Sequence, residues 1–245
     1  MPAANRFLVC QHMAWEGPGK HLISAAARCQ VDLEVCRLWR QPLPALAPYA
    51  GLIILGGSPN VDEEERYPFL RAEKEAIRQV LSEDKAYLGF CLGHQLLAQV
   101  LGCRVGPNKC RSIGFIEGQL TEAGRAHPLF DNLPDRFPLF KWHAQAVLPP
   151  TPEQVQVLVN SEECHVEAIS VQGRPHIIGM QFDNHAGSRV DAAAWLQGDR
   201  HWLAQPPAVD HSRVLEDAAK QEVIMAAQFQ VIFENFVHIT QQASS

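Results

Sequence analysis

The residues best placed to do chemistry lie at one point of this 245-residue chain, Gly89-Phe90-Cys91-Leu92-Gly93. A cysteine with glycine two positions to either side matches a nucleophile elbow, a strained strand-to-helix turn that exposes the reactive side chain. The nucleophile would be Cys91, and the Leu92 N–H would be one oxyanion donor. Glycine suits both flanks because the turn crowds neighbouring backbone and forces strained angles. A helix beginning near Leu92 would aim its positive end at the sulfur and favour thiolate. The plainer alternative is a buried structural cysteine between incidental glycines. A second pair, Gly56-Gly57, follows the wholly apolar run Gly51-Leu-Ile-Ile-Leu55. Glycines at the carboxyl end of a buried strand let backbone approach a ligand, or simply make a turn.

The elements that must position these residues follow from periodicity. Arg6 to Gln11, Val31 to Leu38, Gly51 to Leu55 and the apolar run from Tyr87 into the elbow read as strands. His21 to Cys29, Leu70 to Ser82 and Leu92 to Leu101 read as helices, the last closed by Gly102. In the second helix Leu70, Ile77, Val80 and Leu81 form the apolar side, and Glu73, Lys74 and Arg78 are expected outside. This alternation predicts an α/β fold with a mostly parallel, doubly wound sheet between helical layers. After Gly102 the rhythm changes. Ser112 to Leu120 and Val155 to Val159 read as short strands, and Val166 to Val171 with His176 to Phe182 as a hairpin about Gly173. Lys141-Trp142-His143-Ala144-Gln145 falls between strands. From Gly187 the chain reads as helical, opened by a Ser188/Asp191 capping box. Leu215, Ala218, Met225, Phe229, Ile232 and Phe236 form a stripe expected to pack on the sheet, with a homodimer face as the alternative. One domain is expected over residues 1–245, with a core at about 6–186 and a helical tail at 187–245.

Composition narrows the function classes. The chain is 47% hydrophobic with net charge -6, and no basic stripe suits nucleic acid. No signal-peptide core or membrane span is evident, so a cytoplasmic protein is expected. The seven cysteines are odd in number and form no C-x-x-C pair, which suggests reduced thiols. The eleven histidines show no metal-ligand spacing, and neither metal nor cofactor is expected.

Four motifs in order carry a family resemblance: Gly56-Gly57 after a strand, Gly89-Phe-Cys-Leu-Gly-His-Gln95 at the elbow, Trp142-His143, and Gly179-Met-Gln-Phe182 at a late strand end. The chain resembles the class I glutamine amidotransferases, in particular the stand-alone, GMP-synthase-like group. The resemblance implies a flavodoxin-like three-layer α/β/α sandwich and a cysteine glutaminase. Cys91 would attack the side-chain amide of glutamine or a γ-glutamyl compound, ammonia would leave, and water would hydrolyse a γ-glutamyl thioester. The oxyanion would rest on the N–H groups of Gly57 and Leu92. Gly56, Gln95 and His143 would line the substrate site. A separate ammonia-accepting synthetase would be the partner.

One departure bears on mechanism. The family's late motif is Gln-Phe-His-Pro-Glu, whose histidine activates the cysteine and whose glutamate orients the histidine. This chain reads Gln181-Phe182-Asp183-Asn184-His185. From reference values, moving the thiol proton to His is uphill by about 3 kcal/mol, and to Asp by about 6 kcal/mol. Three readings follow: His185 swings over Cys91 with Asp183 orienting it; another histidine, His143 before His94, serves; or the site is catalytically degenerate and the fold binds or regulates. Gln145, where this group often carries Asp, favours the last. A cysteine hydrolase of the dienelactone type shares the elbow, but not the Gly56-Gly57 loop or the His94-Gln95 continuation.

Overall fold

The computed structural model describes residues 5–243. The first half of the chain winds as predicted. Strand β1 (Arg6–Gln11) leads through α1 (Gly19–Arg28) to β2 (Asp32–Arg37). Then β3 (Gly51–Ile54), α2 (Phe69–Ser82), β4 (Ala86–Phe90) and α3 (Leu92–Val100) follow. These strands are apolar runs because helices cover both faces of the sheet. In β3 and β4 every residue is buried.

The second half is β5 (Arg104–Leu120), the short α4 (Glu122–Arg125), β6 (Arg136–Leu148), β7 (Val155–Ser161), β8 (Ala168–Val171) and β9 (Arg174–Met180). Helices α5 (Arg189–Gly198), α6 (Arg200–Leu203) and α7 (His211–Ala243) complete the described chain. One nine-stranded sheet runs β2-β1-β3-β4-β9-β8-β7-β5-β6. Its β2-β1-β3-β4-β9 half is parallel, and β9 then pairs antiparallel with β8. The sheet is therefore parallel where crossover helices return the chain, and antiparallel where hairpins do. Residues 141–145, unassigned from sequence, lie in β6, which pairs along β5 from Arg104↔Leu148 to Gln119↔Arg136.

Two apolar layers sandwich the sheet. On one face Phe229, Ile232, Phe233 and Phe236 of α7 pack with Phe7, Leu88, Ile178 and Phe182. On the other, α2 and α3 cover Leu8, Leu52, Tyr87 and Ile177. The tail stripe thus packs on the sheet from Phe229 onward, while Val214, Ala218 and Met225 join Trp195 in a third cluster. By length and composition alone α7 could cross a membrane, but 56% of its most apolar window is buried inside the protein. Ser188 caps α5 by accepting from the Asp191 N–H at 3.2 Å. All seven cysteines are free thiols.

One expectation fails in α2. Glu73 and Lys74 do not face solvent; both are buried. Their partners are remote loops rather than helix neighbours. Glu73 Oε1 lies 2.9 Å from His12 Nε2, and Lys74 Nζ donates to the Val61 carbonyl at 2.7 Å.

The elbow turn has no slack. A Cβ on Gly93 would stand 2.3 Å from the Ile54 carbonyl oxygen, so α3 crosses β3 at backbone contact. Gly93→Ala must push α3 off the sheet. It should cost about 1–3 kcal/mol, as overpacking does, read as a lower urea midpoint with unchanged slope. An unchanged midpoint would show that the crossing yields freely.

Candidate active site

Cys91 sits between β4 and α3 with φ 44° and ψ -99°. A positive φ is uncommon for a residue with a Cβ and costs on the order of 1–3 kcal/mol. Its own N–H donates to the Met180 carbonyl at 2.8 Å, and its carbonyl accepts the first helical bond, from the Gln95 N–H, at 3.0 Å. The turn is thus held from both sides. The thiol faces a cleft of about 460 Å³ whose lining includes Gly56, Gly57, Gln95, His143 and Asp183. Most of the residues singled out from sequence therefore converge. Leu92 contributes through its backbone, whose N–H lowers the pKa of the Cys91 thiol.

The Gly56-Gly57 loop is fixed from behind. His12 Nδ1 lies 2.7 Å from the Gly56 carbonyl oxygen, and Nε2 lies 2.9 Å from Glu73. Burial opposes protonation of this imidazole, but the Glu73 carboxylate and the Gly56 carbonyl outweigh it and raise its pKa. In a trans peptide the C=O and the following N–H point in opposite directions. With the Gly56 carbonyl turned to His12, the Gly57 N–H turns away from His12. A side chain at Gly57 would strike the His12 ring at 2.8–3.0 Å.

Gln95 is held on its other flank: its Nε2 donates to the Gln145 carbonyl and to Gln181 Oε1, each at 3.0 Å. Beneath the cleft, Lys141 on β6 pairs with Glu167, both with fully buried side chains. The Ser161 hydroxyl donates to the second Glu167 oxygen at 2.6 Å.

The segment after β9 decides the late motif. Asn184 is clamped: its Oδ1 accepts from the Phe140 N–H at 2.8 Å, and its Nδ2 donates to the Pro138 carbonyl at 2.9 Å. Its own carbonyl is 2.8 Å from His21 Nδ1. Residues Asn184–Ala186 close as a 3-10 turn. Asp183 is left lining the cleft, while His185 is not among the lining residues. Instead the His185 ring packs on Phe90 with centroids 4.2 Å apart. Its Nδ1 is 3.9 Å from Asp183 Oδ1, too long for a hydrogen bond. Burial lowers its pKa to about 3, so it is neutral. Of the histidines weighed for the base, His143 does reach the cleft. Its Nδ1 bonds the Gln145 carbonyl at 2.8 Å, and its Nε2 is unpartnered. Burial and Lys141 lower its pKa well below the usual range. His94 is fully buried, with its pKa lowered by burial to about 3.

The sequence signals passed over three carboxyls that line the cleft, Glu63 among them. Glu16, just before the Gly17-Pro18-Gly19 turn, and Asp199, just after α5, both line the cleft. Asp199 accepts indole N–H bonds from Trp15 at 3.2 Å and Trp142 at 2.8 Å. No spacing rule links these residues; only the fold brings them together. Burial, Asp199 and Asp183 push Glu16 well above the usual carboxylate range, and burial does the same for Asp183. Both oxygens of Asp183 lack a hydrogen-bond partner.

These charges correct the expectation of a resting thiolate. Burial pushes the Cys91 thiol well above its usual range, and Asp183 and Glu16 push the same way. Lys141 and the Leu92 N–H oppose them but do not prevail. Desolvation outweighs the helix end. The sign of a test follows. Removing a carboxylate near the thiol must lower its pKa, so Asp183→Asn should move the midpoint of iodoacetamide alkylation against pH downward. The wild-type midpoint should lie above about 8.5, the free-thiol value. A wild-type midpoint below that value, or an unchanged midpoint in the variant, would contradict these electrostatics.

Comparison with known proteins places this geometry. The family model described as "Glutamine amidotransferase class-I" matches residues 19–190. The glutamine amidotransferase-like protein YfeJ of Salmonella typhimurium is 35% identical over 116 residues, 46% of this chain and 48% of its own length. The chain thus spans about half of that relative. A subunit of the glutamine-hydrolyzing GMP synthase of Methanothrix thermoacetophila is 30% identical over 166 residues, 68% of this chain and 82% of that one. Among solved structures, a glutamine amidotransferase of Thermotoga maritima superposes with a TM-score of 0.84 at 25% identity, covering 95% of this chain and 97% of that one.

Proposed function

The chain belongs to the class-I glutamine amidotransferase family, and from that membership we propose that it hydrolyses the side-chain amide of glutamine or a γ-glutamyl compound through a thioester on Cys91. The observation that carries this reading is the backbone of Cys91. A non-glycine residue held at φ 44° at the mouth of a cleft, with the Leu92 N–H at its sulfur, is strain kept where it exposes a nucleophile.

Asp183 is the group we assign to proton transfer. At its reference pKa an aspartate would be a poor base for a thiol. Burial raises Asp183 well above the usual carboxylate range, which strengthens it as a base, while it raises the Cys91 thiol as well. Moving the proton from Cys91 to an ionised Asp183 also conserves net charge, so no new ion pair must be solvated. As the S–C bond forms, the thiol proton passes to the Asp183 carboxylate. The developing oxyanion is met by the N–H groups of Gly57 and Leu92. As the C–N bond breaks, Asp183 returns the proton to the leaving nitrogen. Water then attacks the thioester, giving a proton to Asp183, and that proton returns to sulfur as glutamate leaves. Gln95 and His143 position the glutamyl group. Ammonia released from glutamine would pass to water or to a separate synthetase.

A second reading has one observation behind it: the thiol pKa is raised, and the clamp on Asn184 keeps His185 on Phe90. On that reading the family fold binds a γ-glutamyl ligand without turning it over.

Glutamate release separates the two. Cys91→Ala should abolish it, and Asp183→Asn should lower it by about 10²–10⁴, the usual worth of general acid–base catalysis. His185→Phe should retain it. Full activity in Asp183→Asn would move the proton to His143, and no release above the Cys91→Ala background would leave the binding reading standing.

A further inference from the structure

The cleft is acidic beyond what hydrolysis of glutamine needs. Four of its lining side chains are carboxyls, those of Glu16, Glu63, Asp183 and Asp199, against one cation, Arg66. Arg66 is already engaged, 3.6 Å from Glu63 and stacked over Tyr67 at 5.1 Å. Lys141, the buried cation nearby, is held by Glu167. No cation lining the cleft is thus free to pair with Glu16, Asp183 or Asp199. Asp183 is fully buried, with neither oxygen hydrogen-bonded. It is aimed into the site: its Oδ1 is 3.4 Å, and a Glu16 oxygen 3.6 Å, from where a Cβ on Gly56 would stand. A buried, unpartnered carboxyl is a costly arrangement that a bound donor would relieve.

The surroundings define the donor. Two indole N–H groups orient Asp199, and Trp142, Trp195 and Trp202 supply aromatic wall. Aromatic faces beside carboxylates attract organic cations. No group of three or more His, Cys, Asp or Glu among the described residues could hold a metal ion, so the carboxyls suit an ammonium rather than a metal. The amide-bearing end, where Gln95 meets Gln145 and Gln181, is uncharged. A volume of about 460 Å³ suits a ligand larger than glutamine, whose leaving group is only ammonia.

We propose that the cleft selects a γ-glutamyl amide whose amine carries a second, positively charged nitrogen, such as the mono-γ-glutamyl amide of an α,ω-diamine, with Glu16 and Asp199 receiving that ammonium. This deepens the γ-glutamyl amide reading above and rests on it. Water cleaves the same C–N bond, and the products are glutamate and the diamine. An ammonium beside Asp183 also draws that carboxyl toward its ionised form, the form that accepts the thiol proton.

Binding tests this without requiring turnover. Cys91→Ala protein is titrated calorimetrically with γ-glutamyl-1,4-diaminobutane and with γ-glutamyl-n-butylamide, which exchanges the ammonium for a methyl group. The cationic amide should bind about tenfold tighter or more, a difference of about 1.4 kcal/mol, and its affinity alone should fall with added salt. Adding Glu16→Gln and Asp199→Asn should erase the preference, with circular dichroism verifying the fold. Equal affinities, or a preference that survives in the folded double variant, would overturn the inference. A preference for the cationic amide, with no glutamate released from it or from glutamine by the wild-type protein, would overturn the catalytic reading and leave this one intact. Binding of neither would overturn this inference, while glutamate release from glutamine would still decide the catalytic reading.

Discussion

The site depends on one close approach, the crossing of α3 over β3 at Gly93. Because that helix touches the Ile54 carbonyl, the chain must turn from β4 into α3 within a single residue. That residue is Cys91, held at φ 44°. The same turn brings the Leu92 N–H to the sulfur and sets Gln95 one helical turn further along the cleft wall. Strain at Cys91 and packing at Gly93 are two ends of one constraint. The backbone cost at the cysteine is borne by a core in which β3, β4 and the first turns of α3 are buried.

Electrostatics adds a second layer. Among the groups acting on the thiol, Asp183 and Glu16 are acidic and Lys141 is basic, and Lys141 is itself paired with Glu167. A buried site with this imbalance favours neutral groups until a ligand arrives. The resting site then holds a thiol rather than a preformed thiolate ion pair, beside carboxyls that burial pushes above their usual range. On the far side of the Gly56-Gly57 loop the reverse holds. His12 and Glu73 form a buried pair that fixes a peptide plane and does not reach the cleft. The two buried histidines at positions 12 and 185 thus differ in kind: one is fully hydrogen-bonded and holds backbone, the other is unpartnered and packs as an aromatic ring.

Much of the fold was legible because its signals are local. Apolar runs marked β1, β3 and β4, and the glycine spacing marked the elbow. What escaped depended on distant partners. Strand β6 contains Pro138, Lys141 and His143, which blur its alternation, and it is a strand because β5 pairs with it over most of its length. The helical pattern put Glu73 outside, because nothing near it in sequence shows that His12 arrives from another loop. In the late motif, residue types suggested that His185 could swing over Cys91. The intervening Asn184 is bonded to Phe140, Pro138 and His21, and those three contacts fix the direction of its neighbours. Glu16 and Asp199 lay outside any motif and met only through the packing of Trp15 and Trp142.

The central claim is that the strained cysteine becomes acylated. The direct measurement is the intact mass of the protein quenched in acid during incubation with a γ-glutamyl amide, followed by mapping of the modified peptide. The account predicts one added γ-glutamyl group on the peptide carrying Cys91, lost on reincubation at neutral pH and absent from the Cys91→Ala protein. Glutamate release with no adduct on Cys91, or an adduct on another of the seven cysteines, would contradict it.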